Sequence, residues 1–164
     1  MLKLQPTITA QWHELVSEAQ ATCHCWLDHD LESYLVFLLM RFTSRPEMAA
    51  AVLATEYLQT LQRHTQIQQD QLRDVGDQCL LYAGLFPERA TRKRVNSHYF
   101  THLGQSAYQQ LASLLRHGDS RLFQHIAEYF QSMSQILNVM REVNSDIIHY
   151  TDHGKPLPGH IVSH

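Results

Sequence analysis

The sequence predicts an all-α protein, a single-domain bundle of about six helices. Three observations carry that prediction. Apolar residues recur every three or four positions along most of the chain, the spacing that lines one face of an α-helix. The six Gly and five Pro are few and cluster at segment ends, where a protein of many short strands and turns would need more. A chain of 164 residues that is 44% hydrophobic has the length for one domain with a sizeable core. The bundle is expected over residues 1–150. The stretch after Tyr150, TDHGKPLPGHIVSH, reads as a flexible tail over 151–164.

The first helix is expected from Thr9 to Leu27, with Trp12, Leu15, Val16, Ala19, Cys23, Trp26 and Leu27 on one stripe. The second runs from Asp30 to Thr43. Ser44-Arg45-Pro46-Glu47 then reads as a new helix start: Ser44 caps free backbone N–H groups, Pro46 suits a first turn, and Glu47 closes a capping box. That third helix would end near Gln62. The Gln-rich run to Asp70 is read as a turn, with one long helix to Phe86 as the alternative. The fourth helix places Leu72, Val75, Gly76, Cys79, Tyr82, Ala83 and Phe86 together and stops before Pro87, which disfavours helix at the preceding residue. The fifth starts at Asn96 or Ser97, both good caps, and ends near Gly118. The sixth is read as one rod from Asp119 to Asn144, about 39 Å long at 1.5 Å per residue.

The second helix is unusually oily. Nine of the twelve residues from Leu31 to Phe42 are apolar. Leu31, Tyr34, Leu35, Leu38, Leu39 and Phe42 make one unbroken core face. Val36, Phe37 and Met40 fall on the other side, beside Glu32, Ser33 and Arg41. Burying those three side chains would contribute roughly 5–8 kcal/mol. The helix is therefore expected to touch neighbours on both sides, either as a central helix of the bundle or at a homodimer seam or partner groove.

Net charge of −3 gives no global basic field, so nucleic acid is not an expected partner. The oily run falls short of the ~18 residues of a membrane helix, and Arg41 interrupts it. No N-terminal segment joins a basic region to an apolar run. Three cysteines are an odd number and do not make a disulfide framework, so a cytoplasmic, reducing setting is expected.

Residues 72–112, and the Tyr34-Leu35 to Phe42 segment, resemble a family of uncharacterised bacterial helical proteins. The resemblance rests on Gly76-Asp77, Gly84 before Phe86, Glu88-Arg89, Val95, Tyr99-Phe100, Gly104 and Ala107-Tyr108. It implies a bacterial helical protein and carries over no activity and no catalytic residue. Read physically, Gly76 and Ala83 on the fourth helix, and Gly104 and Ala107 on the fifth, predict two closely packed antiparallel helices. Asp77 lies about 40° round the fourth helix from Arg73, which predicts an ordinary ion pair between them, with a polar contact to the basic loop or to a ligand as the alternative.

Several clusters invite chemistry. Arg89, Arg92, Lys93 and Arg94 precede a helix start and are candidates for anion binding. Twelve histidines invite a metal hypothesis, but no cofactor is predicted. Cys23-His24-Cys25 looks like a ligand cluster, yet on a continuous helix the two cysteines point about 160° apart. His98 and His102 have the spacing to grip one ion, without the Glu of a metalloprotease motif. Asp146, His149 and His153 form a half-motif of the di-metal kind. No nucleophile elbow or glycine-rich phosphate loop is present. The expected function is a non-catalytic interaction or regulatory protein that self-associates, as a homodimer or with a protein partner, through Val36, Phe37 and Met40. The alternative is a small helical enzyme of the di-metal type, or a small-molecule-binding protein with a pocket between helices.

Overall fold

A computed structural model describes residues 7–45, 65–88, 96 and 98–143. The described residues form six helices and no strand: α1 (Ile8–Cys23), α2 (His29–Ser44), α3 (Thr65–Leu85), α4 (Tyr99–Leu114), α5 (His117–Glu128) and α6 (Phe130–Val143). The all-α single-domain reading holds. The expected helix from Pro46 to Gln62 and the tail over 151–164 lie outside the described residues.

Local chemistry sets the ends of α1 and α2. The Thr7 hydroxyl accepts from the Ala10 amide at 3.1 Å, capping α1. The helix then stops at Cys23, four residues short of the expected Leu27. His24 adopts a left-handed conformation (φ 55°) and donates its amide to the Gln20 carbonyl, closing the last turn. Trp26, placed on the core stripe by periodicity, is exposed as a result. The Asp28 carboxylate caps α2 by accepting from the Leu31 amide at 3.0 Å. Asp30 and Glu32 sit in its first turn and Arg41 in its last, each at the end of the helix dipole that favours its charge.

α3 is already helical at Thr65, so the Gln-rich run is helix from Thr65 to Asp70, and its residues 62–64 lie outside the described residues. It ends at Leu85, before Pro87 as expected. α4 ends at Leu114 instead of Gly118. The single long rod expected from Asp119 is two helices. The chain breaks at Tyr129 (φ −97°, ψ 16°), while the Tyr129 amide still donates to the His125 carbonyl and its own carbonyl accepts from the Met133 amide. This is a kink, with no Pro or Gly to mark it. Its cause is tertiary: α5 packs on α4, whereas α6 packs on α3 and α1.

α3 and α4 pack antiparallel. Gly76 of α3 lies against the Tyr108 ring, and Gly104 of α4 against Cys79, so the two chains run in opposite directions as the small residues predicted. Gly84 seats α3 on Leu137 of α6. α2 lies along α1 and touches α5. It reaches α3 mainly through long side chains, such as Phe42 against Phe86, whose ring centres are 6.1 Å apart.

Candidate functional site: a buried carboxylate clasp and an exposed aromatic

Asp77 is fully buried and sits where α2, α3 and α4 meet. Gly76 positions its main partner: without a side chain there, the Tyr108 ring lies directly on the α3 backbone. That brings the Tyr108 hydroxyl to donate to Asp77 Oδ1 at 2.6 Å. The Tyr34 hydroxyl donates to the same oxygen at 2.5 Å. Arg41 donates to Oδ2 and forms an ion pair with it. Tyr34 and Arg41 are seven residues apart on α2 and so share one face of that helix. The Phe123 ring closes the cluster, edge-on to Tyr34 at 5.7 Å and stacked on Tyr108 at 6.0 Å.

The electrostatics follow from burial. Desolvation, reinforced by the Asp77 charge, holds both tyrosine hydroxyls well above their ordinary pKa, so they remain donors. For Arg41, burial works against the charge, but the Asp77 carboxylate outweighs it and the guanidinium is held more firmly protonated. Asp74, one turn before, is raised by partial burial and by the neighbouring Asp77 charge. With two donors on one oxygen and a guanidinium on the other, Asp77 is a satisfied carboxylate that ties three helices together. Its partner is not Arg73, as the i,i+4 spacing predicted. The Arg73 charge acts on the Asp74 carboxyl, favouring its ionised form, and the Arg73 Nε is buried without a hydrogen-bond partner.

The apolar back of α2 divides differently from expectation. Val36 is buried in the core of its own chain, and Met40 is half-buried with the Thr9 hydroxyl 3.5 Å from its sulfur. Val36 is therefore closed to a partner, whereas Met40 keeps part of its surface open. Phe37 is 59% exposed. The correction is physical: α1 and α5 flank α2 within one chain and close over part of the side that the helical wheel left unassigned.

The remaining candidates separate. His98 and His102 are both exposed, their rings stacked with centres 6.3 Å apart, on the rim of an open groove with Asn96, Tyr99, Leu103 and Ser106. Among the described residues no group of three or more His, Cys, Asp or Glu is placed to hold a metal ion. Arg89, Arg92, Lys93 and Arg94, and Asp146, His149 and His153, lie outside the described residues. Cys79 is buried in the core, and burial pushes its thiol far above the ordinary range, so it is inert.

Sequence reasoning missed two groupings. Tyr34 is assigned to the core face of the second helix and Arg41 to its other side, and nothing in the spacing joins them to Tyr108. The signal available was the seven-residue spacing of Tyr34 and Arg41, which puts a donor pair on one side of an oily helix. The other is Gln20, buried at the α1–α2 turn. Its amide donates to Glu32 at 2.8 Å and accepts from the Leu27 amide at 2.9 Å, while Glu32 also meets His13 at 2.5 Å. Nothing in the pattern around Gln20 distinguishes it from a solvated residue.

Compared with known proteins, the chain matches no family profile, no curated sequence and no solved structure. No helix among the described residues is long and apolar enough to cross a membrane.

Proposed function

We propose that this chain is a non-catalytic helical protein that self-associates, copy to copy, through the outer face of α2 around Phe37, and that it works in the cytoplasm. The observation that carries this reading is the exposure of Phe37 in the middle of a helix that otherwise buries its large aliphatic side chains in the core. Large apolar side chains that remain exposed beside other apolar groups mark contact surfaces. Met40 lies one turn along, and Ile8, 65% exposed, begins α1 next to the Thr9 that touches Met40.

The charge pattern supports a second copy rather than a different partner. Asp30 lies seven residues before Phe37 on the same face, and Arg45 lies eight after it; both are exposed. A two-fold axis at Phe37 would set two α2 helices antiparallel. Phe37 would then meet its own copy, and each Asp30 would face the opposite Arg45. Such a patch is complementary to itself, as an isologous interface requires.

Light scattering of the full chain over a range of concentrations tests this. A reversible dimer is expected, lost in Phe37→Asp. Asp30→Arg alone should weaken it, and adding Arg45→Asp should restore it. A chain that stays monomeric at high concentration overturns the reading.

A further inference from the structure

Cys23, His24 and Cys25 do not lie on one helix. α1 ends at Cys23, and the left-handed turn at His24 swings Cys25 back toward the helix end. Both thiols sit at that turn: Cys25 Sγ lies 3.5 Å from the Cys23 carbonyl, and Cys23 Sγ lies 3.9 Å from the Gln20 carbonyl. One intervening residue keeps the two Cα atoms within about 7.6 Å even when extended, and the turn shortens that, so they fall in the range a disulfide spans. Both side chains are half-buried at the surface end of α1, within reach of small reagents.

We infer that Cys23 and Cys25 form a dithiol site that exchanges with low-molecular-weight disulfides and closes to an intrachain disulfide. The thiolate of one cysteine attacks a small disulfide, forming a mixed disulfide and expelling one small thiolate. The second cysteine, as thiolate, attacks the protein sulfur of that bond and expels the other. The two protein thiols are oxidised, the small disulfide is reduced to two thiols, and those thiols take up the two protons. Burial, then the hydrogen bond and charge of Cys23, hold the Cys25 thiol above its ordinary pKa. Thiolate is therefore scarce at neutral pH, and closure accelerates roughly tenfold per pH unit as pH rises toward the thiol pKa. Closure also removes the Cys25 S–H that meets Gln135 Oε1 at 3.3 Å, a tie between the end of α1 and α6.

The test incubates the reduced, folded full chain with oxidised glutathione at several pH values, followed by acid quench, alkylation under denaturing conditions and peptide mapping. The expected product has lost two hydrogens in mass, carries the Cys23–Cys25 link, and leaves Cys79 alkylated. Cys25→Ser should stop at the glutathione adduct on Cys23, and Cys79→Ala should close as the parent does. Stable adducts on both cysteines of the parent chain, links between copies, or unmodified thiols after prolonged exposure would each overturn the inference.

Discussion

Asp77 and Gln78 are adjacent in the chain and both are buried, yet they stand in opposite positions. Asp77 has a partner for each oxygen, whereas the Gln78 side-chain oxygen is buried with none. Their substitutions should therefore move stability in opposite directions. Asp77→Asn leaves Arg41 without its counter-charge. Because Arg41 is 38% exposed, water absorbs part of the loss. The cost is expected near the low end of the ~3–5 kcal/mol found on breaking a buried pair, read as a fall in the urea midpoint. Gln78→Leu removes an unsatisfied buried oxygen and is expected to stabilise the fold by about 1–2 kcal/mol, read as a rise in the same midpoint. A destabilised Gln78→Leu would show that its oxygen has a partner in solution. At this scale the sequence was half legible. Periodicity assigned Leu35, Leu38 and Leu39 correctly to the interior, because apolar burial is written in spacing. The partner of Asp77 was not legible, because a charge pairs across helices and local spacing offered Arg73 equally well.

Helices were more legible than their junctions. The caps at Thr7 and Asp28 and the stop before Pro87 are local chemistry, so α2 and the end of α3 fall within a few residues of expectation. The stop at Cys23 needs a histidine in left-handed backbone, and the kink at Tyr129 needs α5 and α6 to follow different neighbours. Neither event leaves a residue-type signal. Small residues were the exception, because a glycine inside a helix declares a close approach. An ideal Cβ at Gly84 would lie 2.4 Å from Leu137 Cβ, too near the α6 backbone to be absorbed by a rotamer change. Gly84→Ala should gain about 1 kcal/mol of helix propensity and lose more to displacement of α6, for a net destabilisation of about 1–2 kcal/mol. Gly104→Leu should cost more, since a Cβ there already meets Cys79 Cβ at 2.8 Å and the Phe130 ring at 2.5 Å. Thermal melts of the two variants rank these contacts. An unchanged melting temperature for Gly84→Ala would mean that α3 and α6 lie farther apart than described.

For the whole molecule, the two tyrosines of the clasp set an alkaline limit. Their hydroxyls are held well above the ordinary value of 10.0 in the folded chain and revert to it on unfolding. Below about pH 10 both states keep the protons, and the stabilisation is fully present. Above it the unfolded chain releases protons that the fold retains, so stability falls as pH rises. The two groups together give a slope approaching 2.7 kcal/mol per pH unit, at about 1.36 each. Tyr108→Phe should halve that slope while costing about 1–3 kcal/mol at neutral pH through the lost hydrogen bond to Asp77. A variant with the parent's alkaline slope would show that Tyr108 ionises freely and that the clasp is open.

Self-association adds a second whole-molecule signature, one that separates the surface role of Phe37 from any role in folding. A dimer that binds only folded subunits raises the melting temperature with concentration, because mass action draws the equilibrium toward the associated native state. Phe37 is mostly exposed in the single chain, so Phe37→Ser should change the stability of an isolated subunit by no more than about 0.5 kcal/mol. The two curves should therefore converge at high dilution and separate as concentration rises, the parent climbing and the variant staying flat. If Phe37→Ser lowers the melting temperature equally at every concentration, Phe37 is packed inside its own chain and the proposed seam is elsewhere. If the parent itself shows no dependence on concentration, no association accompanies folding and the outer face of α2 meets only water.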